Sequence, residues 1–264
     1  MTPGACRNRE DGQAVVIANA VAAPGPAPMG YWGSRAARLY DEEYARRYCD
    51  YDERAIRNPV GVSFSTWLAS LCGRFDRPIA ILDLGCGTGR FFPALTNVRE
   101  VVGLDASPAM LARACARAAA SGLTGAITLI QGDVDTVRLQ TGRFDLAYAI
   151  GVLAEHVPLT PQLAARVREW LAPGGIVAFT TVHPDSPSIG LTARRRLGRA
   201  VLPWTAGRIR TLMRRRWLGY GLYADEEYVR DVLTGAGFHI ESLERFVSEE
   251  HLHCRVVARS ADDP

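Results

Sequence analysis

The segment Leu82-Asp83-Leu84-Gly85-Cys86-Gly87-Thr88-Gly89-Arg90 gives the strongest indication of the fold. It continues the apolar run that starts at Ile79, so it contains the end of a predicted buried strand and the turn that leaves it. Glycines at alternate positions allow the chain to turn sharply and bring its backbone close to a bound ligand. The dinucleotide-binding pattern G-x-G-x-x-G would need glycine at position 90, where Arg90 stands.

A carboxylate follows the next apolar run at the spacing that a nucleoside site requires. Asp105 lies twenty residues after Gly85 and directly follows the run Val101–Leu104. Because the ends of neighbouring parallel strands meet at one edge of a sheet, this carboxylate can accept hydrogen bonds from both hydroxyls of a ribose.

Short apolar runs alternate with helical stretches along the middle of the chain. The predicted strands are Ile79–Leu84, Val101–Leu104, Ile127–Ile130, Phe144–Ile150 and Ile176–Val182. The predicted helices between them are Phe91–Leu95, Pro108–Ala120 and Gln162–Leu171. This alternation indicates an α/β fold with a doubly wound, mostly parallel sheet. Phe238–Val247 and His253–Arg259 are joined by a short turn, so they add a C-terminal antiparallel hairpin and complete seven strands.

The other segments flank this core. The expected organisation is a disordered tail at 1–30, an N-terminal helical cap at 31–76, a Rossmann-like core at 77–182 and 225–264, and a basic helical lid insertion at 183–224. The tail ends in a Pro/Gly-rich stretch, which favours disorder. The cap carries Tyr40, Tyr44 and Tyr48 every four residues, which places them on one helix face.

Five ordered elements of the sequence resemble the class I S-adenosylmethionine-dependent methyltransferases. They are the glycine-rich turn, Asp105-Ala106-Ser107-Pro108-Ala109-Met110, Gln131-Gly132-Asp133-Val134, Phe144-Asp145-Leu146 and Leu171-Ala172-Pro173-Gly174-Gly175. The resemblance extends over residues 78–182 and implies S-adenosylmethionine as the cofactor.

The resemblance also implies which residues bind that cofactor. Those that would surround its methionine moiety are Asp83, Gly85, Cys86, Gly87 and Gly89. Those that would meet its ribose and adenine are Asp105, Ala106, Met110, Asp133 and Val134. Ile150 would line the site after the fourth strand. The alternatives are a plain strand–helix turn for the glycines and a core position for Met110.

The composition excludes several kinds of chemistry. The chain has 264 residues and a formal charge of +3, yet all 31 of its basic residues are arginine. Without lysine it cannot form a Schiff base or a P-loop, and kinase-type phosphoryl transfer is excluded as well. Its six scattered cysteines show no C-x-x-C spacing, so we expect no bound metal and mostly reduced thiols.

The segment after the fourth strand disfavours three subclasses of methyltransferase. It reads Ile150-Gly151-Val152-Leu153, without the N/D-P-P-Y motif of amino-methylating DNA enzymes or the clustered acids of the metal-dependent catechol type. Protein arginine methyltransferases have two glutamates there, and only Glu155 is present. The remaining resemblance is to the small-molecule branch, whose sequences are similar to Ala154-Glu155-His156-Val157-Pro158.

Three histidines are predicted at the ligand-binding edge of the sheet. His156 follows the fourth strand, His183 follows the fifth, and His251 lies in the terminal hairpin. Histidine can remove a proton near neutral pH, so these are the catalytic candidates, with His183 preferred as general base. A hydrogen-bonded structural histidine is the alternative at each position. His239 begins its strand and is placed at the opposite edge.

Residues 186–224 contain nine arginines and no Asp or Glu, so the formal charges of the remaining residues sum to −6. We predict a basic lid over the acceptor pocket, with Tyr220 and Tyr223 in the lid and Tyr40 and Tyr44 on the other side. The alternatives are a solvated helix face, recognition of an anionic acceptor, contact with an anionic membrane surface, and nucleic-acid binding. Nucleic acid is disfavoured because no recognised nucleic-acid module is present.

The function expected from these features is methyl transfer from S-adenosylmethionine to a hydroxyl or amine of a small, anionic specialised metabolite. The alternatives are lipid or RNA methylation by way of the basic lid, and a cofactor-binding partner subunit without activity of its own. A cytoplasmic location is expected, with a signal peptide around Ala14–Ala23 as the alternative. The sequence predicts no particular oligomeric state.

Overall fold

The computed structural model describes residues 5–7, 14–19, 30–122, 126–187, 189, 222–248 and 251–261. In chain order the elements are β1 (Ala5–Arg7), β2 (Ala14–Asn19), α1 (Tyr31–Leu39), α2 (Glu42–Ala55), α3 (Pro59–Cys72), β3 (Ile79–Leu84), a 3-10 helix (Phe92–Ala94), β4 (Val98–Asp105), α4 (Pro108–Ala120), β5 (Ala126–Gln131), β6 (Phe144–Ala149), α5 (Pro161–Trp170), β7 (Leu171–Val182), α6 (Glu226–Gly235), β8 (Phe238–Ser248) and β9 (His251–Ser260). The chain divides into two compact units, Met1–Ala149 with Glu169–Ile176, and Ile150–Arg168 with Val177–Pro264.

Helices α2 and α3 begin where the sequence provides capping residues. The side chain of Asp41 accepts a hydrogen bond from Tyr44 N at 2.8 Å, and that of Asn58 accepts one from Gly61 N at 2.8 Å. Such caps satisfy backbone N–H groups that have no partner inside the helix. Residues 31–76, predicted to be helical, contain the three helices α1, α2 and α3.

The first unit contains the sheet edge at which the glycine-rich turn lies. Its strand order is β1-β2-β5-β4-β3-β6, with β1 antiparallel to β2 and the other pairs parallel. All residues of β3 and β6 are buried, as expected for strands covered on both faces. Asp83 pairs with Tyr148, and Asp105 pairs with Gln131. The carboxyl ends of these strands therefore lie side by side.

The second unit contains the later part of β7 and the C-terminal hairpin, in the order β7-β9-β8. Strands β8 and β9 are antiparallel, with pairs running from Phe238↔Ser260 to Ser248↔His251. All strands of the described residues belong to one mixed sheet. The predicted α/β fold, with a mostly parallel sheet and a C-terminal antiparallel hairpin, is confirmed.

Two strands lie within 1–30, where the sequence analysis expects a disordered tail. Strands β1 and β2 raise the number of strands from the predicted seven to nine. Strand β2 pairs in parallel with β5, and Val16 lies opposite Thr128. Val15, Val16 and Ile17 favour a strand, but the partner strand lies more than one hundred residues away in sequence, so local patterns alone did not place β2 in the sheet.

The segment after the glycine-rich turn is shorter than predicted. In place of a helix over Phe91–Leu95 there is one 3-10 turn, Phe92–Ala94, because Pro93 lacks a backbone donor and β4 already starts at Val98. Strand β7 starts earlier than predicted, at Leu171, where the sequence analysis places the end of a helix.

Most of the predicted lid, including its nine arginines and Tyr220, lies outside the described residues. Cys49, Cys72, Cys86 and Cys254 are free thiols as expected, whereas Cys115 is disulfide-bonded. Within the described ranges, no helix has the length and apolar character needed to cross a membrane. No group of three His, Cys, Asp or Glu side chains in that part of the chain is arranged to hold a metal ion.

Candidate functional site: the glycine-rich turn and its surroundings

The glycine-rich turn is held against strand β4 by backbone hydrogen bonds. Gly85 N and Cys86 N both donate to Leu104 O, at 2.7 and 2.9 Å. Gly85, Gly87 and Gly89 have φ values of 74°, 54° and 71°, in the region that favours glycine. A Cβ atom at Gly87 would meet nothing within 4 Å, so this part of the turn faces open space.

Asp105 is oriented by backbone amides at the end of β4. Its Oδ2 accepts a hydrogen bond from Gly87 N at 2.8 Å, and its Oδ1 accepts one from Ser107 N at 2.8 Å. Burial raises the pKa of Asp105, although these amides act in the opposite direction. Each carboxylate oxygen keeps a second lone pair, so the predicted contact with ribose hydroxyls is compatible with this geometry.

Asp83 lies one strand away and is paired with a tyrosine that the sequence analysis did not identify. Tyr148 Oη donates to Asp83 Oδ2 at 2.6 Å, and both side chains are buried. Burial raises the pKa of Asp83 to about 7, although the bond from Tyr148 opposes this shift. The neighbouring Cys86 thiol is also buried, and burial raises its pKa.

These residues fit the cofactor that the resemblance implies. Asp83 and Asp105 are acids whose burial disfavours their charged forms, and Asp105 raises the pKa of Asp83 further. A cationic ligand would compensate for that cost. S-adenosylmethionine carries a sulfonium and an ammonium group, and the open face at Gly87 leaves room for it.

Asp133 makes contacts that the resemblance does not predict. Its Oδ2 accepts a hydrogen bond from Gly33 N at 2.8 Å and its Oδ1 accepts one from Asp135 N at 3.0 Å. The side chain is 2% exposed. A Cβ atom at Gly33 would lie 2.5 Å from Asp133 Oδ2, so only glycine allows helix α1 to approach so closely. Asp133 therefore anchors α1, and its contact with adenine stays a prediction.

Of the other residues expected at the ribose and adenine, Ala106 and Met110 lie at the start of helix α4, and Val134 follows strand β5. Met110 and Val134 are buried, and Ala106 is half-buried. Ser107 caps α4 by accepting from Met110 N at 3.1 Å, and its hydroxyl donates to Tyr40 O at 2.5 Å. The Tyr40 contact attaches the segment between α1 and α2 to the end of β4.

The tyrosine face of helix α2, defined as Tyr44 and Tyr48, is continued by Tyr40, which lies just before the helix and not on it as predicted. The Tyr40 and Tyr44 rings meet edge to face with centroids 4.9 Å apart, and the Tyr44 and Tyr48 rings are stacked at 5.7 Å. Burial raises the pKa of Tyr48 to about 12. In the second unit Tyr223 is half-buried, and Tyr220 lies outside the described residues.

His183, the preferred general base, is 2% exposed in the second unit. Its Nδ1 accepts a hydrogen bond from Asp185 N at 3.0 Å. Its Nε2 lies 3.3 Å from Glu226 Oε2 at an angle that makes no hydrogen bond. Both ring nitrogens therefore face protein groups, and the ring is not open to a substrate.

His251 lies close to His183 because the next residue, Leu252, is hydrogen-bonded to the backbone of His183. His183 N donates to Leu252 O at 2.8 Å, and Leu252 N donates to Ser186 Oγ at 3.0 Å. The His251 side chain is exposed, and its ring centroid lies 5.6 Å from that of His253. His183 and the residue after His251 therefore meet at one end of the β7–β9 pair, and the convergence of all three histidines stays a prediction.

His253 is the less exposed member of that pair of rings. It stacks on Phe246 with centroids 5.1 Å apart. Burial lowers the pKa of His253 to about 4, so this ring is neutral at physiological pH.

The remaining predicted residues of the second unit follow strand β6. The His156 side chain is 41% exposed, and its Nε2 lies 3.8 Å from Glu155 Oε1. Ile150 is half-buried, and the adjacent Gly151 N donates to Thr180 Oγ1 at 2.9 Å.

Asp52 in helix α2 is a second residue that the sequence analysis missed. It is fully buried, and its carboxylate contacts Thr88, Arg90 and Arg117. The signal that identifies it is its spacing, because Asp52 continues the four-residue repeat of the tyrosine face with a charged side chain.

Known proteins are similar to the part of the chain that contains the glycine-rich turn. Residues 81–175 match the family model described as "Methyltransferase domain". A trans-aconitate 2-methyltransferase of Deinococcus radiodurans is 40% identical over 111 residues, which is 39% of this chain and 38% of the relative. A ubiquinone biosynthesis O-methyltransferase of Nitrosococcus oceani is 34% identical over 128 residues, 48% of this chain and 51% of the relative.

A solved S-adenosylmethionine-dependent methyltransferase from Mesorhizobium loti is 26% identical, with a TM-score of 0.50. The alignment covers 74% of this chain and 97% of that structure. The chain spans about half or less of the length of the curated relatives it matches. Fold, glycine-rich turn and family match together define a class I, S-adenosylmethionine-dependent methyltransferase domain. Residues 81–175 carry this domain, and its cofactor is S-adenosylmethionine.

Proposed function

We propose that this chain transfers the methyl group of S-adenosylmethionine to a hydroxyl or amine of a small, anionic specialised metabolite. The observation that carries the proposal is the contact between Gly87 N and Asp105 Oδ2 at 2.8 Å. It joins the glycine-rich turn to the acid at the next strand end, the two parts that a nucleoside cofactor needs.

The chain's own residues supply orientation and charge. S-adenosylmethionine, when bound, supplies a methyl group attached to a positively charged sulfur. Asp105 would hold the ribose hydroxyls, while the backbone of Gly85–Gly89 would lie against the methionine moiety. Asp83, ionised above a pKa of about 7, would provide negative charge for the cation. Holding cofactor and acceptor in line reduces the entropic part of the barrier.

For a hydroxyl or protonated amine acceptor, a base must remove a proton. We assign this role to His251 rather than His183, because the buried ring of His183 has its Nδ1 occupied by Asp185 N. His183 would then act as a positioning residue, through its backbone bond to Leu252. His156 is the alternative base, since its side chain is also accessible.

The proposal that the acceptor is anionic rests on the positive charge of residues 186–224. Nine arginines lie in residues 186–224 without a single acid, and arginine binds carboxylates with paired hydrogen bonds. One relative is named for trans-aconitate, which is a tricarboxylate. Tyr40, Tyr44, Tyr220 and Tyr223 are the proposed aromatic contacts of the acceptor.

Two other functions make different predictions. A lipid or RNA methyltransferase would use the same arginines to bind phosphate groups. A cofactor-binding subunit would bind S-adenosylmethionine but methylate nothing without its partner. The small-molecule function is favoured because one relative is named for trans-aconitate, a small acid, and the residues at the glycine-rich turn are intact.

The proposal is tested by incubating the purified chain with S-adenosylmethionine that carries an isotope-labelled methyl group. Small carboxylic acids that carry a hydroxyl or an amine, phenols and amines are offered as acceptors, together with trans-aconitate, which carries neither group, and mass spectrometry detects the labelled methyl group. We expect labelled product with an acid that carries a hydroxyl or an amine, and none with the Asp105→Asn variant; labelling of trans-aconitate alone would contradict the proposed acceptor atoms. Labelling of anionic vesicles or RNA instead would favour the first alternative, and cofactor binding without any product would favour the second.

A further inference from the structure

Asp52 is a buried charge at the junction of three parts of the first unit. Its Oδ2 accepts the hydroxyl of Thr88, and its Oδ1 lies 3.2 Å from Arg90 Nη1. Arg117 Nη1 of helix α4 lies 3.7 Å from Oδ2. Asp52 therefore contacts the glycine-rich turn and helix α4 from helix α2, and its side chain is fully buried.

Thr88 and Arg90 are the residues of the glycine-rich turn that contact Asp52. Thr88 and Arg90 flank Gly89, whose φ is 71°. Arg90 is further fixed by its guanidinium carbon, which lies 4.6 Å from the centre of the Phe91 ring. A turn made of glycines has high conformational freedom, so side-chain contacts beside the glycines determine how well it is ordered.

Asp52 also has a fixed relation to the tyrosine face. Tyr44, Tyr48 and Asp52 are spaced by four residues, so they lie on one side of helix α2. Arg90 and Asp52 both act on the ionisation of the Tyr48 hydroxyl, which places that hydroxyl in the same surroundings. Helix α2 therefore carries both the tyrosine face and the carboxylate that contacts the glycine-rich turn.

We propose that Asp52 is a positioning residue for cofactor binding, which fixes Thr88 and Arg90 and so aligns the glycine-rich turn with the tyrosine face of helix α2. This inference rests on the proposed function. Asp52 does not contact the cofactor itself. It acts by ordering the turn before the cofactor arrives, which lowers the entropic cost of binding.

A merely structural role is the competing explanation, and the chain offers a matched control. Asp145 is 4% exposed and hydrogen-bonded to Arg77 Nη2 at 2.6 Å and to Ala80 N at 2.8 Å. It is thus another buried acid with an arginine partner, but it lies near the amino end of β6, away from the glycine-rich turn. Both Asp52→Asn and Asp145→Asn should lower the melting temperature.

The test measures the dissociation constant of S-adenosylhomocysteine by calorimetry for the full chain and its variants. We expect Asp52→Asn to weaken binding about tenfold, and Thr88→Val, which removes one hydroxyl donor, about threefold. Asp145→Asn should change the affinity less than about twofold. Thr88→Val keeps the proposal testable if Asp52→Asn does not fold.

A second readout needs no ligand. Hydrogen exchange of the backbone amides of residues 85–91 should accelerate in ligand-free Asp52→Asn and not in Asp145→Asn. Equal affinities for wild type, Asp52→Asn and Thr88→Val, or unchanged exchange in the turn, would overturn the inference and leave the proposed function standing. Absence of S-adenosylhomocysteine binding by the wild-type chain would instead contradict the proposed function, and this inference with it.

Discussion

Gly87 and Gly122 allow an effect on folding to be distinguished from an effect on cofactor binding. Gly87 has a φ of 54°, and a Cβ atom there would project into open space. Gly122 has a φ of 68° and the same open surroundings, but it follows helix α4. An alanine in this backbone region costs about 1–2 kcal/mol.

We therefore expect Gly87→Ala and Gly122→Ala to lower the free energy of unfolding by similar amounts. Only Gly87→Ala should also weaken binding of S-adenosylhomocysteine, because its methyl group would occupy cofactor space. Chemical denaturation and calorimetry measure the two effects. Equal affinities in both variants would mean that the open space at Gly87 is not the cofactor site.

Asp83 gives the site a dependence on pH. Burial raises its pKa from 3.8 to about 7 in the folded chain. Its contribution to stability is therefore fully present below about pH 4 and is lost as the pH rises through about 7. Binding of a cation needs the ionised form, so affinity for S-adenosylmethionine should increase over the same range.

Tyr148→Phe should move that binding midpoint to higher pH, because the hydroxyl of Tyr148 stabilises the ionised carboxylate. Calorimetric titrations with S-adenosylmethionine between pH 6 and pH 9 would measure the shift. Tyr228→Phe is the control, since its buried hydroxyl donates to Leu159 O at 2.8 Å. A pH-independent affinity in the wild-type chain would contradict the role of Asp83.

His251 and His183 can be distinguished by turnover. If His251 is the base, His251→Ala should reduce kcat by about 100-fold or more while the affinity for S-adenosylhomocysteine stays unchanged. His239→Ala is the control, because His239 is also exposed and lies in the same hairpin. His183→Ala should mainly lower the melting temperature. A larger loss of kcat in His183→Ala at equal stability would return the base role to His183.

At the scale of elements, helix α1 depends on two glycines that face Asp133. A Cβ atom would lie 2.7 Å from Asp133 Oδ2 at Gly30 and 2.5 Å from it at Gly33. Gly33→Ala should therefore displace α1 and cost about 1–3 kcal/mol, the usual range for overpacking. Gly235→Ala in helix α6 is the control, because nothing lies within 4 Å of its Cβ position.

Hydrogen exchange of residues 31–39 reports the displacement directly. Faster exchange in Gly33→Ala and unchanged exchange in Gly235→Ala are expected. Normal protection of α1 in Gly33→Ala would show that the helix does not depend on its contact with Asp133.

The elements that the sequence predicted well are those with local signals. Apolar runs located β3 to β7, and the short turn before His251 located the hairpin. The features that could not be predicted from the sequence depend on contacts between residues that are far apart in the chain. Gly33 reaches Asp133 across one hundred residues, and β2 needs β5 as its neighbour. Tyr148 meets Asp83 only because β3 and β6 are adjacent strands.

At the scale of the whole molecule, charge is distributed unevenly. The net charge is +3, but residues 186–224 carry nine of the 31 arginines and no acid. If these arginines bind an anionic acceptor, binding of trans-aconitate should weaken as salt rises, because the screening length falls from about 10 Å at 0.1 M to about 3 Å at 1 M. Calorimetric titrations at several ionic strengths measure this dependence.

The location of the arginines can be separated from the total charge by two triple variants. Replacement of Arg214, Arg215 and Arg216 by glutamine removes three charges from the basic segment. Replacement of Arg46, Arg47 and Arg57 by glutamine removes the same number from exposed positions of helix α2 and its C-terminal turn. Both variants have the same net charge, so a general attraction would weaken equally in both. We expect only the first variant to bind trans-aconitate more weakly and with a smaller dependence on salt, because specific recognition requires arginines that touch the acceptor. Equal losses of affinity in the two variants would refute that specificity.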